Sequence, residues 1–182
     1  KKQKRKKTVI LVPKNRYENF IQEKLSNLDL KNYKIFKYNP DPKVLTGEIE
    51  ILTNYSQRKK NLELRKKMFE DKEDEQSKRE LEKLDQKYTI GEVNFDSVII
   101  IDFGTSLKSV LTSLVFSDVD PKKVLFTTVN QWFDESIFYE NTVKSLYYPS
   151  VNYAEFKKYK DNYFKTFNIY PSEITILAYD AI

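Results

Sequence analysis

Apolar and polar positions along this chain follow two periods in turn. Thr8 to Val12 is a short apolar run closed by Pro13, the mark of a strand covered on both faces. Lys14 and Asn15 open a segment in which Tyr17, Phe20, Ile21, Leu25 and Leu28 recur at three- and four-residue spacing, which predicts a helix with one face on a sheet. Tyr33 to Tyr38 alternates and reads as a second strand, stopped by Asn39-Pro-Asp-Pro42. Strand, helix, strand in that order is the right-handed crossover unit of a parallel sheet. Phe95 to Asp102 predicts a third strand, and Ser106 to Phe116 a helix that turns Leu107, Val110, Leu111, Leu114 and Val115 to the core. Val124 to Val129, after a turn opened by Pro121, is the fourth strand. Further on, Tyr153, Phe156, Tyr159, Tyr163 and Phe167 lie at helical spacing and read as core rather than as a base-stacking platform. Ser172, after Pro171, is a capping residue for a final helix to Ile182.

Between Gly47 and Tyr88 the pattern changes. This stretch holds no Pro and no further Gly, and is dense in Glu, Lys, Leu, Arg and Gln, all good helix formers. A single helix of that length would run about 60 Å, too long for one small domain. A break in the charged stretch Glu70 to Gln76 is therefore expected, making a long charged helical hairpin inserted over about 46–88. It is either a solvated connection or an arm for a partner.

These elements predict an α/β chain: a Rossmann-like, three-layer lobe with a mainly parallel sheet flanked by helices, spanning 8–182. With 182 residues, 40% hydrophobic and 14% aromatic, the chain can fill one such core. Its 32 basic and 27 acidic residues give a net charge of +5, but the two signs are interspersed, as on a solvated surface, and nucleic-acid binding is not expected. The one block of a single sign is residues 1–7, with six positive charges: a basic tail or linker, or a tether to an anionic surface. The absence of Cys removes disulfides and thiol chemistry, and the absence of His removes the commonest general base and zinc ligand. The carboxylates form no recognisable catalytic motif, and Gly at 47, 91 and 104 alone cannot write a phosphate-binding fingerprint. No enzyme activity, cofactor or metal is expected. Neither an eighteen-residue apolar run nor a signal-peptide pattern is present, and the abrupt basic start suggests an excised fragment.

Several residues together resemble a known family. A strand running into Asp102-Phe-Gly-Thr-Ser106, a helix with Leu107 and Leu111, and a strand ending before Asn130-Gln-Trp-Phe-Asp134 come first. Phe156-x-x-Tyr159, Phe164-x-x-Phe167-Asn-Ile-Tyr-Pro171 and Ala178-Tyr-Asp-Ala181 follow. This order resembles the type I periplasmic binding proteins, which hold amino acids or similar solutes between two α/β lobes. It is closer still to their lipoprotein relatives that activate penicillin-binding proteins, through Val9 to Pro13 and Thr53-Asn-Tyr-Ser-Gln-Arg58 with the charged helices after it. The resemblance implies a second lobe whose partner lobe lies outside the given sequence. It also implies a periplasmic location, with outer-membrane anchoring through a missing N-terminal part. The role implied is a non-enzymatic regulator of peptidoglycan synthesis that binds a penicillin-binding protein. The alternative is a solute-binding protein of an ABC transporter, taking an amino acid or another small polar ligand. The family's Gly-rich turn is replaced here by Pro13-Lys-Asn-Arg-Tyr-Glu18, which weighs against amino-acid binding.

Open parallel sheets bind ligands at the carboxyl ends of their strands, so the resemblance implies three groups of ligand-facing residues. They are Asn15, Arg16 and Tyr17 after the first strand, Gly104, Thr105 and Ser106 after the third, and Asn130, Gln131 and Trp132 after the fourth. Thr105 and Ser106 offer hydroxyls and N–H groups at a helix start, which favour an anion; Ser106 is equally suited to capping. Arg16 suits a bidentate carboxylate or is a plain surface charge, and Trp132 either stacks on a ligand or packs under a loop.

Overall fold

The computed structural model describes residues 6–15, 17–28, 31–129, 146–149, 152–171 and 175–176. It is an α/β fold. Five parallel strands, β1 (Thr8–Pro13), β2 (Tyr33–Tyr38), β3 (Ser97–Ile100), β4 (Leu125–Thr128) and β5 (Leu146–Tyr147), lie in the order β2-β1-β3-β4-β5. The helices are α1 (Glu18–Ser26), α2 (Pro42–Thr53), α3 (Tyr55–Glu70), α4 (Glu75–Asp85), α5 (Gly104–Phe116) and α6 (Tyr153–Phe167).

Strand alternation sorts the core into two layers. Val9 and Leu11 of β1, Tyr38 of β2, Val98 and Ile100 of β3 and Phe126 of β4 face one side, where Leu45 and Ile49 of α2 and Leu107, Val110, Leu111 and Leu114 of α5 cover them. Ile10 and Val12 face the other side, with Leu25 and Ile21 of α1 over them beside Tyr33, Ile35 and Ile99. This is the period of two that a pleated strand imposes, with a helix layer on each side. The register pairs Ile10 with both Ile35 and Ile99, so β1 is central and fully covered. After β2 the chain crosses β1 to reach β3, and the connections leave β1 and β3 in opposite directions. The switch point of the sheet therefore lies between their carboxyl ends.

The stretch expected as a two-helix hairpin is a run of three helices. Asp41 caps α2, accepting from Lys43 N at 3.0 Å, and Pro42 at the first turn has no N–H to satisfy. Leu45 and Ile49 make α2 part of the core layer rather than of an insertion. Asn54 takes the left-handed conformation (φ 52°) and ends α2 while starting α3, which Asn tolerates better than most residues. The charged stretch after Glu70 does break the helix, and Asp74 caps α4 through Ser77 N at 2.8 Å. Leu62 and Leu84 are buried, and Lys66 pairs with Asp85 at 2.7 Å between α3 and α4.

The aromatic stripe forms α6, with Phe156 and Tyr159 buried against Ile176. Its far end differs from the expected core: Phe167 is exposed, and Phe164 stacks on exposed Tyr170 at 4.5 Å. The cap at Ser172 and most of the final helix lie outside the described residues.

Candidate functional site

The carboxyl ends of β1 and β3 adjoin, because Ile101 N continues their ladder by donating to Leu11 O at 3.0 Å. On the β1 side the chain turns at once. Lys14 N donates to Tyr38 O at 2.8 Å, and the Asn15 side chain accepts from Tyr17 N at 2.9 Å, an Asx turn that opens α1. Asn15 thus closes the turn before the helix, which has Tyr17 at its N-cap with no side-chain cap and starts at Glu18 instead of at Lys14. Glu48 of α2 ties two turns together, accepting from Lys14 Nζ at 2.9 Å and from Asn39 N at 2.5 Å. Burial pushes the Glu48 carboxyl up, but the Asn39 N–H and the Lys14 ammonium outweigh it, so the net shift is downward.

On the β3 side the central group is Asp102, only 7% exposed. Its carboxylate accepts from Phe103 N at 2.8 Å, from the Ser106 hydroxyl at 2.5 Å and from the Tyr38 hydroxyl, which reaches it from the end of β2. The exit of β4 joins the same knot, since Thr128 Oγ1 donates to Ile100 O at 2.7 Å and to Asp102 O at 3.1 Å. Burial, followed by the Asp102 hydrogen bond and charge, raises the Tyr38 phenol far above its ordinary value of 10.0, with a smaller opposing contribution from Ser106. Gly104 follows with φ +60°, a backbone conformation that side chains disfavour, and nothing occupies the space where a Cβ would stand.

This arrangement changes the chemistry expected of the rim. A helix start attracts an anion, and at α5 that anion is Asp102 of the chain itself, bonded to the first free N–H and to Ser106. Ser106 is therefore engaged with Asp102. Thr105 is exposed and lines a concavity of about 270 Å³ between α2 and α5, together with Thr46 and Lys108. Tyr17 (45% exposed) and Phe103 (66% exposed) turn their rings outward on this rim. Asn15, Tyr17, Gly104, Thr105 and Ser106 thus occupy neighbouring turns after β1 and β3. Arg16, Asn130, Gln131 and Trp132 lie outside the described residues.

A second buried charge sits at the opposite rim. Arg58 of α3, 7% exposed, donates to Gly91 O at 3.1 Å, Ser117 O at 3.1 Å and Asp118 O at 2.9 Å. The last two carbonyls follow α5, which closes in a Schellman turn: Val119 N donates to Leu114 O at 3.1 Å and Asp118 N to Val115 O at 2.9 Å, with Asp118 left-handed at φ 56°. Asp118 Oδ2 lies 3.8 Å from the guanidinium and accepts from the Thr89 hydroxyl. Burial lowers the Arg58 pKa and the Asp118 charge opposes that shift. The chain that leaves along α3 returns here, as Ile90 N donates to Arg58 O at 3.1 Å.

The larger concavity, about 600 Å³, lies beside Arg58 at the amino ends of β3 and β4, walled by residues 86–93, Asp118 and Lys123. It is the gap between the returning loop and the turn before β4, away from the switch point where an open sheet builds a ligand site. Among the described residues, no three His, Cys, Asp or Glu side chains gather to hold a metal ion.

The sequence reading missed Tyr38, Asp102 and Arg58 as organising residues. An acid directly after the apolar run of β3, followed by Phe103-Gly104-Thr105-Ser106, was the available signal for Asp102. Arg58 had none, because its partners are main-chain carbonyls 33, 59 and 60 residues away. Comparisons with family models, with curated proteins and with solved structures found no match for this chain.

Proposed function

We propose that this chain is a lobe of a non-enzymatic bacterial envelope protein of periplasmic-binding-protein-like fold, which regulates peptidoglycan synthesis by contacting a penicillin-binding protein. The likeness of its strand and loop order to the activator lipoproteins motivates the reading. The observation that carries it is the state of the carboxyl rim. Asp102 already places a carboxylate at the helix start that would receive a solute's, bonded to Phe103 N and to the Ser106 hydroxyl, and the Asn15 side chain accepts from Tyr17 N within the chain. Exposed rings of Tyr17 and Phe103 are left on that rim, and exposed aromatic side chains suit a protein surface better than a small polar solute.

The test is retention of purified penicillin-binding proteins on the immobilised full chain. The expected result is capture of a synthase, weakened by Phe103→Ser and Tyr17→Ser in chains whose circular dichroism is unchanged. Failure to capture any candidate synthase overturns the reading. A parallel thermal-shift panel of amino acids and peptidoglycan fragments decides between protein contact and solute binding. A ligand at a hundred times its dissociation constant stabilises its site by about 2.7 kcal/mol, so a rise of that size would replace the regulatory reading with the solute-binding one.

A further inference from the structure

We propose that the outer face of α3 is a dimer interface, on which the same face of a second copy of this chain lies antiparallel. α3 turns Arg58, Leu62 and Lys66 inward: Arg58 bonds the turn after α5, Leu62 is buried, and Lys66 pairs with Asp85 of α4. At 3.6 residues per turn the opposite stripe holds Lys60, Glu63, Leu64, Lys67, Met68 and, just past the end of the helix, Asp71. All six are exposed, Leu64 by 58% and Met68 by 59%. Among the described residues none of the four charged ones is in an ion pair.

Two cations and two anions alternate along this stripe, with the two apolar side chains between them. Their order is what identifies the occupant. A two-fold interface sets one patch against itself, so the patch must complement its own reverse. With the axis beside Arg65 and Lys66, antiparallel pairing puts Leu64 against Met68 of the other copy, Lys60 against Asp71 and Glu63 against Lys67. One register thus matches the apolar pair and both charge pairs at once, whereas parallel pairing in register sets every charge on its own like. The same register brings the segment after Glu70 toward a concavity of about 370 Å³ on the other copy, bordered by Tyr55, Lys59 and Lys60, with Glu50 and Glu63 on its edge. About three turns of helix per copy bury less than the roughly 800 Å² per partner of a standard interface, so a reversible dimer with Kd on the order of 10–100 μM is expected. The inference goes beyond the proposed regulatory role and does not depend on it, since α3 lies away from Tyr17 and Phe103.

Sedimentation velocity of the full chain from about 1 to about 300 μM tests it, with monomer giving way to dimer across that range. Lys60→Glu with Lys67→Glu makes the whole stripe acidic, and Glu63→Lys with Asp71→Lys makes it wholly basic. Each double variant alone is expected to dimerise at least about thirtyfold more weakly than the parent, and an equimolar mixture of the two to restore a dimer at least as tight. Leu64→Gln with Met68→Gln weakens the dimer by about tenfold. These positions are exposed, and circular dichroism confirms that each variant is folded. The proposal is overturned if the chain stays monomeric throughout, whatever other protein then covers the face. It is equally overturned if the charge-reversed variants dimerise as tightly as the parent, or if their mixture stays monomeric while both are folded.

Discussion

At the carboxyl rim a buried carboxylate gathers hydroxyls; at the amino rim a buried guanidinium gathers carbonyls. Both act on α5. Asp102 receives the N–H and the hydroxyl at the start of that helix, and Arg58 donates to the two carbonyls that follow its end. The signs match the helix dipole, an anion at the positive end and a cation at the negative end. The two rims differ in reach. Asp102 joins the exits of β2, β3 and β4, whereas Arg58 fastens α3 and the returning loop at Gly91 to the core. One charge organises the edge where a partner is proposed to dock, and the other closes the fold on the far side.

Breaking Arg58 is expected to cost the most. Arg58→Met strands three carbonyls, of which that of Ser117 is buried and those of Gly91 and Asp118 part-buried, and loss of the guanidinium from this cluster is expected to cost about 3 kcal/mol in urea unfolding. Arg58→Lys recovers only part of this, since an ammonium cannot span the three acceptors as a guanidinium fork does. Asp102→Ala, which leaves Tyr38, Ser106 and Phe103 N without their acceptor, is expected to cost about 2–3 kcal/mol. A loss under about 0.5 kcal/mol in either variant would remove that charge from the account.

Tyr38→Phe sharpens the comparison through pH, at a cost of about 1–2 kcal/mol near neutrality. The unfolded phenol loses its proton near its ordinary value of 10.0, while the folded one holds it to higher pH. The folded state then binds more protons, so wild-type stability is fully present below pH 10.0 and falls as pH rises above it. Urea midpoints measured from about pH 8 to about pH 11 should fall less steeply in Tyr38→Phe than in the wild type; parallel slopes would contradict the Tyr38–Asp102 bond. The smallest effect has the opposite sign. Ser117 Oγ is buried with no hydrogen-bond partner among the described residues, so Ser117→Ala is expected to stabilise by up to about 1 kcal/mol, while its carbonyl still receives Arg58.

β1, β3 and β4 were legible as apolar runs several residues long, and β2 as an alternating segment stopped by Asn39 and Pro40. β2 was placed to the residue, and β3 was overextended because Phe95 and Asp102 flank it in the same apolar context. β5 escaped notice, since two residues carry no period. α2 was folded into the supposed hairpin because Leu45 and Ile49 are too sparse a stripe to announce a core helix beside so many charges. The rim itself followed from parallel strand order alone, but the work its residues do did not. Asn15 closes the turn before α1 and Ser106 bonds Asp102, and a turn-forming residue and a ligand-binding one look alike in sequence. Tyr38 and Asp102 are 64 residues apart, a separation that only the crossover closes.

The central claim is that the start of α5 is already occupied by the chain's own anion. Chemical rescue tests it most directly: the melting temperatures of the wild type and Asp102→Ala are compared in acetate and in chloride at equal ionic strength. The account predicts that acetate raises the melting temperature of Asp102→Ala and leaves the wild type unchanged. A wild type stabilised by acetate as strongly as the variant would contradict it.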